Sequence, residues 1–173
     1  HDALPISADY ESIAISALSD GTGYVTYGNE ASATGGGTIS GGTWRLRNAA
    51  LKDANIVAYA SINFDTGITL DSAKLNLAST TGGFTAQAVN VVSGSNLTVR
   101  TATDIAIDYL KGKSSRIYMT SLHRSGRSVG SRSDATSGGK LAAANVELVG
   151  CETEITTWDD IAVGEKLEAS EDE

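Results

Sequence analysis

The sequence has few cysteines, prolines, histidines and aromatic residues, and these shortages exclude several classes of protein and site. Its 173 residues include one cysteine, one proline, two histidines and 6% aromatic residues. The single cysteine, Cys151, cannot form an internal disulfide, so the fold is not held by disulfide bonds. Once His1 is set aside with the first six residues, which have the sequence of a translated adapter, one histidine and one cysteine cannot build a zinc site.

Long hydrophobic runs are absent as well. No apolar stretch approaches the ~20 residues that a membrane-spanning helix requires, so the sequence predicts no membrane span. The hydrophobic content of 40% with so few aromatic residues implies a core of Val, Ile, Leu and Ala. Nineteen glycines, together with many Ser, Thr and Asn residues, fit a single domain of short strands joined by turns.

Basic residues are scarce only at the C-terminal end, where the net charge of −8 is concentrated. Acidic and basic residues balance over residues 1–150, whereas residues 151–173 contain nine acidic residues and only Lys166 as a base. Such asymmetry is typical of a solvated tail or a linker. We therefore predict a β-domain over residues 7–150, followed over 151–173 by an acidic tail or the start of another module, with Glu168–Glu173 disordered.

The first six residues have the sequence of a translated adapter and are not interpreted as part of the protein. His1–Ile6 (HDALPI) is the translation of CAC GAC GCT CTT CCG ATC, the end of a common sequencing-library adapter. This origin fits a chain assembled from metagenomic reads. We interpret residues 1–6 as an adapter-derived artefact and exclude them from reasoning about the fold.

Alternation of apolar and polar residues is clearest over Ala58–Leu77. Ile62 and Phe64 share one face of the first run, and Leu75 and Leu77 share one face of the second. A period of two is typical of half-buried strands, because successive side chains point to opposite sides of a sheet. The pattern predicts two adjacent antiparallel strands connected by Asp65–Asp71, with these four residues in the core.

Further strand candidates recur every eight to twelve residues along the chain. Ile107–Lys111 fits either a strand or one helical turn, while residues 34–42 and 125–139 are interpreted as loops. No internal repeat is visible at a fixed period. Regular short strands without a long helical period favour an all-β fold, an antiparallel β-sandwich of jelly-roll type.

The same residues carry a family resemblance. The run Ile62–Asp65, a short turn and then Leu70–Leu77 (LDSAKLNL) resemble the jelly-roll modules of the disaggregatase-related, DNRLRE-type repeat, which are similar to carbohydrate-binding modules. Lys140–Val149 is similar to the closing strand of that family, although the usual tryptophan-containing strand in mid-domain has no match. The resemblance implies a jelly-roll fold and a carbohydrate-binding or adhesive role within a larger extracellular protein.

Catalytic signals are weak. No nucleophile-elbow motif accompanies the serines, and His123 lies at the border of a basic loop. Asp65 and Asp71 flank the predicted turn and form the candidate metal site, because loop carboxylates suit Ca²⁺. We therefore predict a protein that is not an enzyme and has no cofactor apart from a possible structural calcium ion.

Candidate ligand-binding residues are an aromatic pair and a basic pair. Trp44 and Tyr59 could stack on a sugar ring or pack in the core. Arg124 and Arg127 belong to the basic segment Lys111–Arg132, which could meet an acidic polysaccharide or form a solvated loop. No aromatic platform for RNA accompanies these residues, so no nucleic-acid partner is predicted.

Two functional hypotheses follow. The first is a non-enzymatic carbohydrate-binding or adhesive module of an extracellular protein, whose partner is a polysaccharide. The alternative is a phage or viral structural protein, a tail-fibre, decoration or capsid domain at the virion surface, whose partner is its own assembly. Glycine-rich loops and the shortage of cysteine suit both.

Overall fold

The computed structural model describes residues 13–17, 22–27, 30–35, 38–47, 53–58, 60–124, 127–128 and 132–171, and it describes side chains at 58, 60–64, 67–124 and 133–171. These residues form two β-sheets. The strands are, in chain order, β1 (Ile13–Ala17), β2 (Thr22–Tyr27), β3 (Glu30–Gly35), β4 (Thr38–Arg47), β5 (Asp53–Ala58), β6 (Ser61–Asp71), β7 (Lys74–Ser79), β8 (Phe84–Val92), β9 (Asn96–Thr101), β10 (Ile105–Lys113), β11 (Arg116–Arg124), β12 (Arg127–Ser128), β13 (Ser137–Gly138), β14 (Leu141–Val149), β15 (Glu152–Thr157) and β16 (Ile161–Ser170).

The two sheets are built from alternate strands of the chain. The first sheet contains β15, β11, β9, β7, β5 and β1 in parallel succession, followed by β2 and β3 in antiparallel pairing. The second sheet has the order β16-β14-β10-β8-β6-β4, and all its pairs are parallel. From β4 onward the chain therefore winds between the sheets as a parallel β-solenoid of about five coils.

This architecture contradicts the predicted antiparallel β-sandwich of jelly-roll type. Strands β6 and β7, expected to pair with each other, lie in different sheets and pair in parallel with β8 and β9. Ser72, which has a φ of 54°, lies between them and redirects the chain to the opposite sheet. The whole of the predicted connection Asp65–Asp71 belongs to β6 itself. Alternation identifies the buried face of a strand but not its neighbour, and this explains the error.

The predicted core residues are confirmed. Ile62, Phe64, Leu75 and Leu77 are at most 2% exposed. They pack between the two sheets within one continuous cluster of buried apolar side chains. Burying an apolar side chain of this size contributes about 1.5–3 kcal/mol relative to leaving it in water, so the coil-to-coil stack is held mainly by this cluster.

The coils form a structural repeat that is not visible in the sequence as a fixed period. The aligned positions at the start of the second-sheet strands are Ile62, Phe84, Ile105, Leu141 and Ile161. Their successive spacings are 22, 21, 36 and 20 residues. The long spacing contains an excursion after β11, formed by β12, a 3-10 turn at Arg132–Asp134 and β13. That excursion hides the period in the sequence.

Buried hydroxyl groups line one corner of the solenoid. Ser79, Thr101, Ser121 and Thr157 occupy aligned positions at the ends of first-sheet strands. All four are at most 7% exposed, and each hydroxyl donates a hydrogen bond to a backbone carbonyl. The backbone leaves the sheet ladder at a corner, and these side chains add hydrogen bonds to carbonyls there: the Gly83 carbonyl accepts from Ser79 and from the Ile62 N–H, and the Thr103 carbonyl accepts from both Thr101 and Ser121.

Residues 152–170 form strands that stack on the preceding coil. Strand β15 pairs with β11, and β16 pairs with β14. Gly150, where the sequence predicted the end of the domain, lies between β14 and β15 with a φ of 62°. Glu168–Ser170, expected to be disordered, belong to β16. The proposed adapter residues 1–6 lie outside the described residues.

Candidate ligand-binding groove

A local irregularity shapes the outer face of the second sheet. In β8 the buried residues Phe84 and Ala86 are followed, after a gap of three instead of two, by Val89. Strand β10 repeats the pattern, so Asp108 and Tyr109 are both exposed although they are consecutive. Two neighbouring outward residues interrupt the flat pleat of each strand and bend it.

Gly67 marks the same level in β6. The pairing of β6 with β8 shifts between Phe64 and Gly67, and Gly67 lies opposite Ala88. Its φ of 136° favours glycine, and a Cβ at this position would lie 2.1 Å from the carbonyl oxygen of Ala88. Glycine therefore allows the two backbones to approach closely, and the surface above them stays open.

The result is a shallow groove of about 400 Å³ across β6, β8 and β10. Tyr109 is 45% exposed and stands beside the small residues Gly67 and Ala88, with which it is aligned. The groove is lined by Gly67, Ile68, Thr69, Ala88, Val89, Asn90, Tyr109 and Lys111. A volume of this size can hold a small ligand or one unit of a polymer.

Three polar side chains run along one side of the groove. Thr69, Asn90 and Lys111 are aligned on neighbouring strands, which in a sheet lie about 4.8 Å apart. None of these three, and not the Tyr109 hydroxyl either, forms a side-chain hydrogen bond with any other described residue. Their donors and acceptors are therefore available to a ligand.

Charge is distributed unevenly along this row. Lys111 is aligned with Glu147 of β14, but the Glu147 carboxylate lies 3.3 Å from the Lys166 Nζ atom. Lys166 also contacts Glu168 at 3.4 Å. The hydrogen bonds from Lys166 to Glu147 and Glu168 raise the pKa of that lysine. Among the described residues, Lys111 has no ion-pair partner and is the only charged residue that lines the groove.

The structure describes the four predicted ligand-binding residues only in part. Trp44 lies in β4 with its backbone in register with Ile68, and its side chain is outside the described residues. Tyr59 also lies outside them. Arg124 and Arg127 face each other across the β11–β12 pair at the excursion, and Arg124 is exposed.

The predicted metal-binding residues do not flank a turn. Asp65 and Asp71 both lie in β6 and are separated by six residues, which is roughly 20 Å along an extended strand. Carboxylates bind one Ca²⁺ ion at about 2.3–2.6 Å, so this separation does not favour a shared ion. In the part of the chain with described side chains, no cluster of three or more His, Cys, Asp or Glu residues has the arrangement of a metal site.

Sequence reasoning missed Tyr109 and Asn90 as site residues, and it included Lys111 only as the first residue of the basic segment Lys111–Arg132. Ile107–Lys111 was expected to be a strand or a helical turn, and it lies within β10. A signal was present, because the two consecutive polar residues Asp108 and Tyr109 interrupt an otherwise regular alternation. Sequence could not show that Asn90 would be aligned with Lys111, since that alignment depends on the 21-residue coil spacing.

Comparisons with known proteins give no assignment: no family model, curated protein or solved structure matches the chain. Within the described residues, no helix has the length and apolar character needed to cross a membrane.

Proposed function

We propose that this chain is a non-enzymatic carbohydrate-binding module of an extracellular protein, and that the groove on the second sheet is its sugar site. The proposal rests on one observation. The exposed ring of Tyr109 stands beside an open floor of Gly67 and Ala88, next to three side chains without hydrogen-bond partners among the described residues.

The chemistry of sugars matches this arrangement. A pyranose ring has an apolar face that packs on an aromatic ring, and a rim of hydroxyls that needs donors and acceptors. Tyr109 supplies the stacking surface, and Thr69, Asn90 and Lys111 supply the polar partners. The aligned strands repeat about every 4.8 Å, a spacing close to the length of one sugar unit in an extended polymer.

The lining of the groove supports binding rather than catalysis. Glycoside hydrolysis uses a pair of carboxylic groups on either side of the scissile bond, and general acid–base chemistry commonly uses histidine. The described part of the groove lining contains neither a carboxylate nor a histidine. A shallow, open site also leaves a ligand in contact with water, which favours modest affinity for long polymers.

The proposal is tested with a glycan array, followed by calorimetry of each positive glycan. We expect Tyr109→Ala to abolish binding. Tyr118→Ala is the matched control, because Tyr118 lies in β11 of the first sheet and remains far from the groove lining. Equal losses from the two variants would place the site elsewhere, and hydrolysis or elimination products from any polysaccharide would overturn the non-enzymatic role.

The alternative, a phage or viral structural protein, is favoured by one feature of the fold. Among the described residues, β15 and β16 have no further partner strand, and a parallel stack with open edges can assemble by pairing with other copies. Sedimentation of the purified chain tests this alternative. Trimers or larger lattices, together with no glycan bound, would replace the carbohydrate-binding proposal with the structural one.

A further inference from the structure

We infer that the groove selects acidic sugars, with Lys111 pairing with the carboxylate of a uronic acid whose ring lies on Tyr109. This inference rests on the proposed function and names its class of ligand. It goes beyond sugar binding in general because it assigns specificity to one side chain and predicts weaker binding of the neutral form of the same polymer.

The proposed recognition of an acidic sugar begins with the charge of Lys111. Every other residue with a described side chain that lines the groove is uncharged. Lys166 holds the carboxylate of Glu147, which is aligned with Lys111, so the positive charge of Lys111 is not neutralised by the neighbouring strand. A ligand carboxylate would supply the missing partner, and charge-assisted hydrogen bonds are about twice as strong as neutral ones.

The relative positions of Tyr109 and Lys111 also fit a uronic acid. Tyr109 and Lys111 are two residues apart on β10 and both are exposed, so their Cα atoms are separated by about 7 Å along the same face. This separation suits a ring stacked on the tyrosine with its carboxylate directed toward the lysine. Asn90, aligned with Lys111 on β8, offers an amide donor to the second carboxylate oxygen.

Because the chain as a whole is acidic, the preference for an acidic ligand must arise within the groove. With a net charge of −8, the protein repels polyanions in general, so non-specific binding of acidic polymers is not expected. A single exposed lysine also predicts a moderate dependence on salt, since exposed charges are screened over about 8–10 Å at physiological ionic strength. Selectivity then depends on Lys111 and not on a broad basic surface.

A matched pair of ligands tests the inference directly. Calorimetry compares an oligogalacturonate with its methyl ester, which has the same sugar rings without the charge. We expect the unaltered protein to bind the acid about tenfold more tightly, as one charge-assisted hydrogen bond would give. Lys111→Met should bind both forms equally, at the affinity of the ester.

Lys113→Met is the control for charge alone. Lys113 lies two residues further along β10, is also exposed and does not line the groove. It should keep the tenfold preference. Circular dichroism and the thermal midpoint of both variants verify that the fold is unchanged.

Each remaining outcome has a definite meaning. Equal binding of acid and ester by the unaltered protein overturns the inference while leaving the proposed function intact. Equal effects of Lys111→Met and Lys113→Met also overturn it, because diffuse electrostatics would then explain the preference. Tighter binding of a sulfated oligosaccharide than of the uronate identifies a general anion site instead. Failure to bind either galacturonate form or any other glycan overturns the proposed function together with the inference.

Discussion

The interior coils and the last strand of the solenoid contain the same kinds of residue at the same aligned positions, yet their burial differs sharply. Ile62, Phe84, Ile105 and Leu141 are at most 1% exposed, whereas Ile161, next in the same column, is 51% exposed. In a second column, Val89 and Leu110 are buried and Leu167 is 63% exposed. Burial in this fold therefore depends on the flanking coil and the opposite sheet, not on the strand itself.

The exposed strand β16 carries several charges although it is the last strand of its sheet. Glu165, Lys166 and Glu168 lie in this strand and are all exposed. An edge strand with free backbone donors and acceptors can pair with other chains, and charged side chains oppose such pairing. The buried apolar residues of the interior coils therefore stabilise the fold, whereas the charged residues of β16 oppose association with other chains through this edge.

The prediction with the largest expected effect replaces one leucine in each region by alanine. Leu110→Ala should lower the free energy of unfolding by about 2–5 kcal/mol, because it leaves a cavity between two coils and two sheets. Leu167→Ala, at the corresponding position of β16, should change it by less than about 0.5 kcal/mol. Urea unfolding measures both. Similar losses would mean that Leu167 is covered in solution.

The second prediction compares alanine substitutions at two glycines, Gly67 and Gly164. Gly67→Ala should destabilise the chain by about 1–3 kcal/mol, since its Cβ would meet the Ala88 carbonyl at a positive φ. Gly164→Ala in β16 is the control, because the nearest atoms to its Cβ would be 3.9 Å away. The same unfolding experiment should show little change for Gly164→Ala. Tolerance of alanine at Gly67 would contradict the close approach of β6 and β8.

These examples also show which parts of the structure could be predicted from the sequence. The buried faces of β6 and β7 follow from alternation, so Ile62 and Leu75 were assigned correctly to the core. Their pairing depends on contacts with residues about one coil away, which alternation does not encode. The fold class was wrong for that reason, and the excursion before Leu141 concealed the repeat that would have corrected it.

The candidate site was harder to predict than the core. Tyr109 and Lys111 are ordinary residues of a polar strand face until Thr69 and Asn90 are aligned beside them by the coil spacing. Trp44 and the Arg124–Arg127 pair have stronger local signals for binding. The groove arises from register and from the bend in three strands, and neither is local in the sequence.

A third prediction concerns the charges of β16. Replacing Glu165, Lys166 and Glu168 together by glutamine should promote self-association, because the edge loses its charges while Ile161 and Leu167 remain exposed. Sedimentation velocity over a range of concentrations measures this effect. The matched control is glutamine at Lys111 and Lys113 and asparagine at Asp108, three exposed charges of the interior strand β10. Equal association of both variants would show that general charge loss, and not the edge, is responsible.

The smallest expected effect is an alkaline loss of stability that differs between the two regions. Hydrogen bonding to Glu147 and Glu168 raises the pKa of Lys166 above its ordinary value of 10.5, so its stabilising effect is complete below pH 10.5 and is lost as pH rises through the raised pKa. In the interior, the hydrogen bond to Glu152 raises the pKa of Tyr118 above 10.0. The folded state then retains the phenolic proton longer than the unfolded state, and stability again falls as pH rises above 10.0.

Variants separate these two contributions. The stability difference between the unaltered chain and Lys166→Met should be small at neutral pH, because the ion pairs are exposed, and should vanish at strongly alkaline pH. Tyr118→Phe should remove its own part of the alkaline decline and leave the part due to Lys166. Urea midpoints measured from pH 7 upward provide the comparison. A Lys166→Met difference that stays constant above pH 10.5 would show that the lysine acts through packing of its methylene chain instead of through its charge.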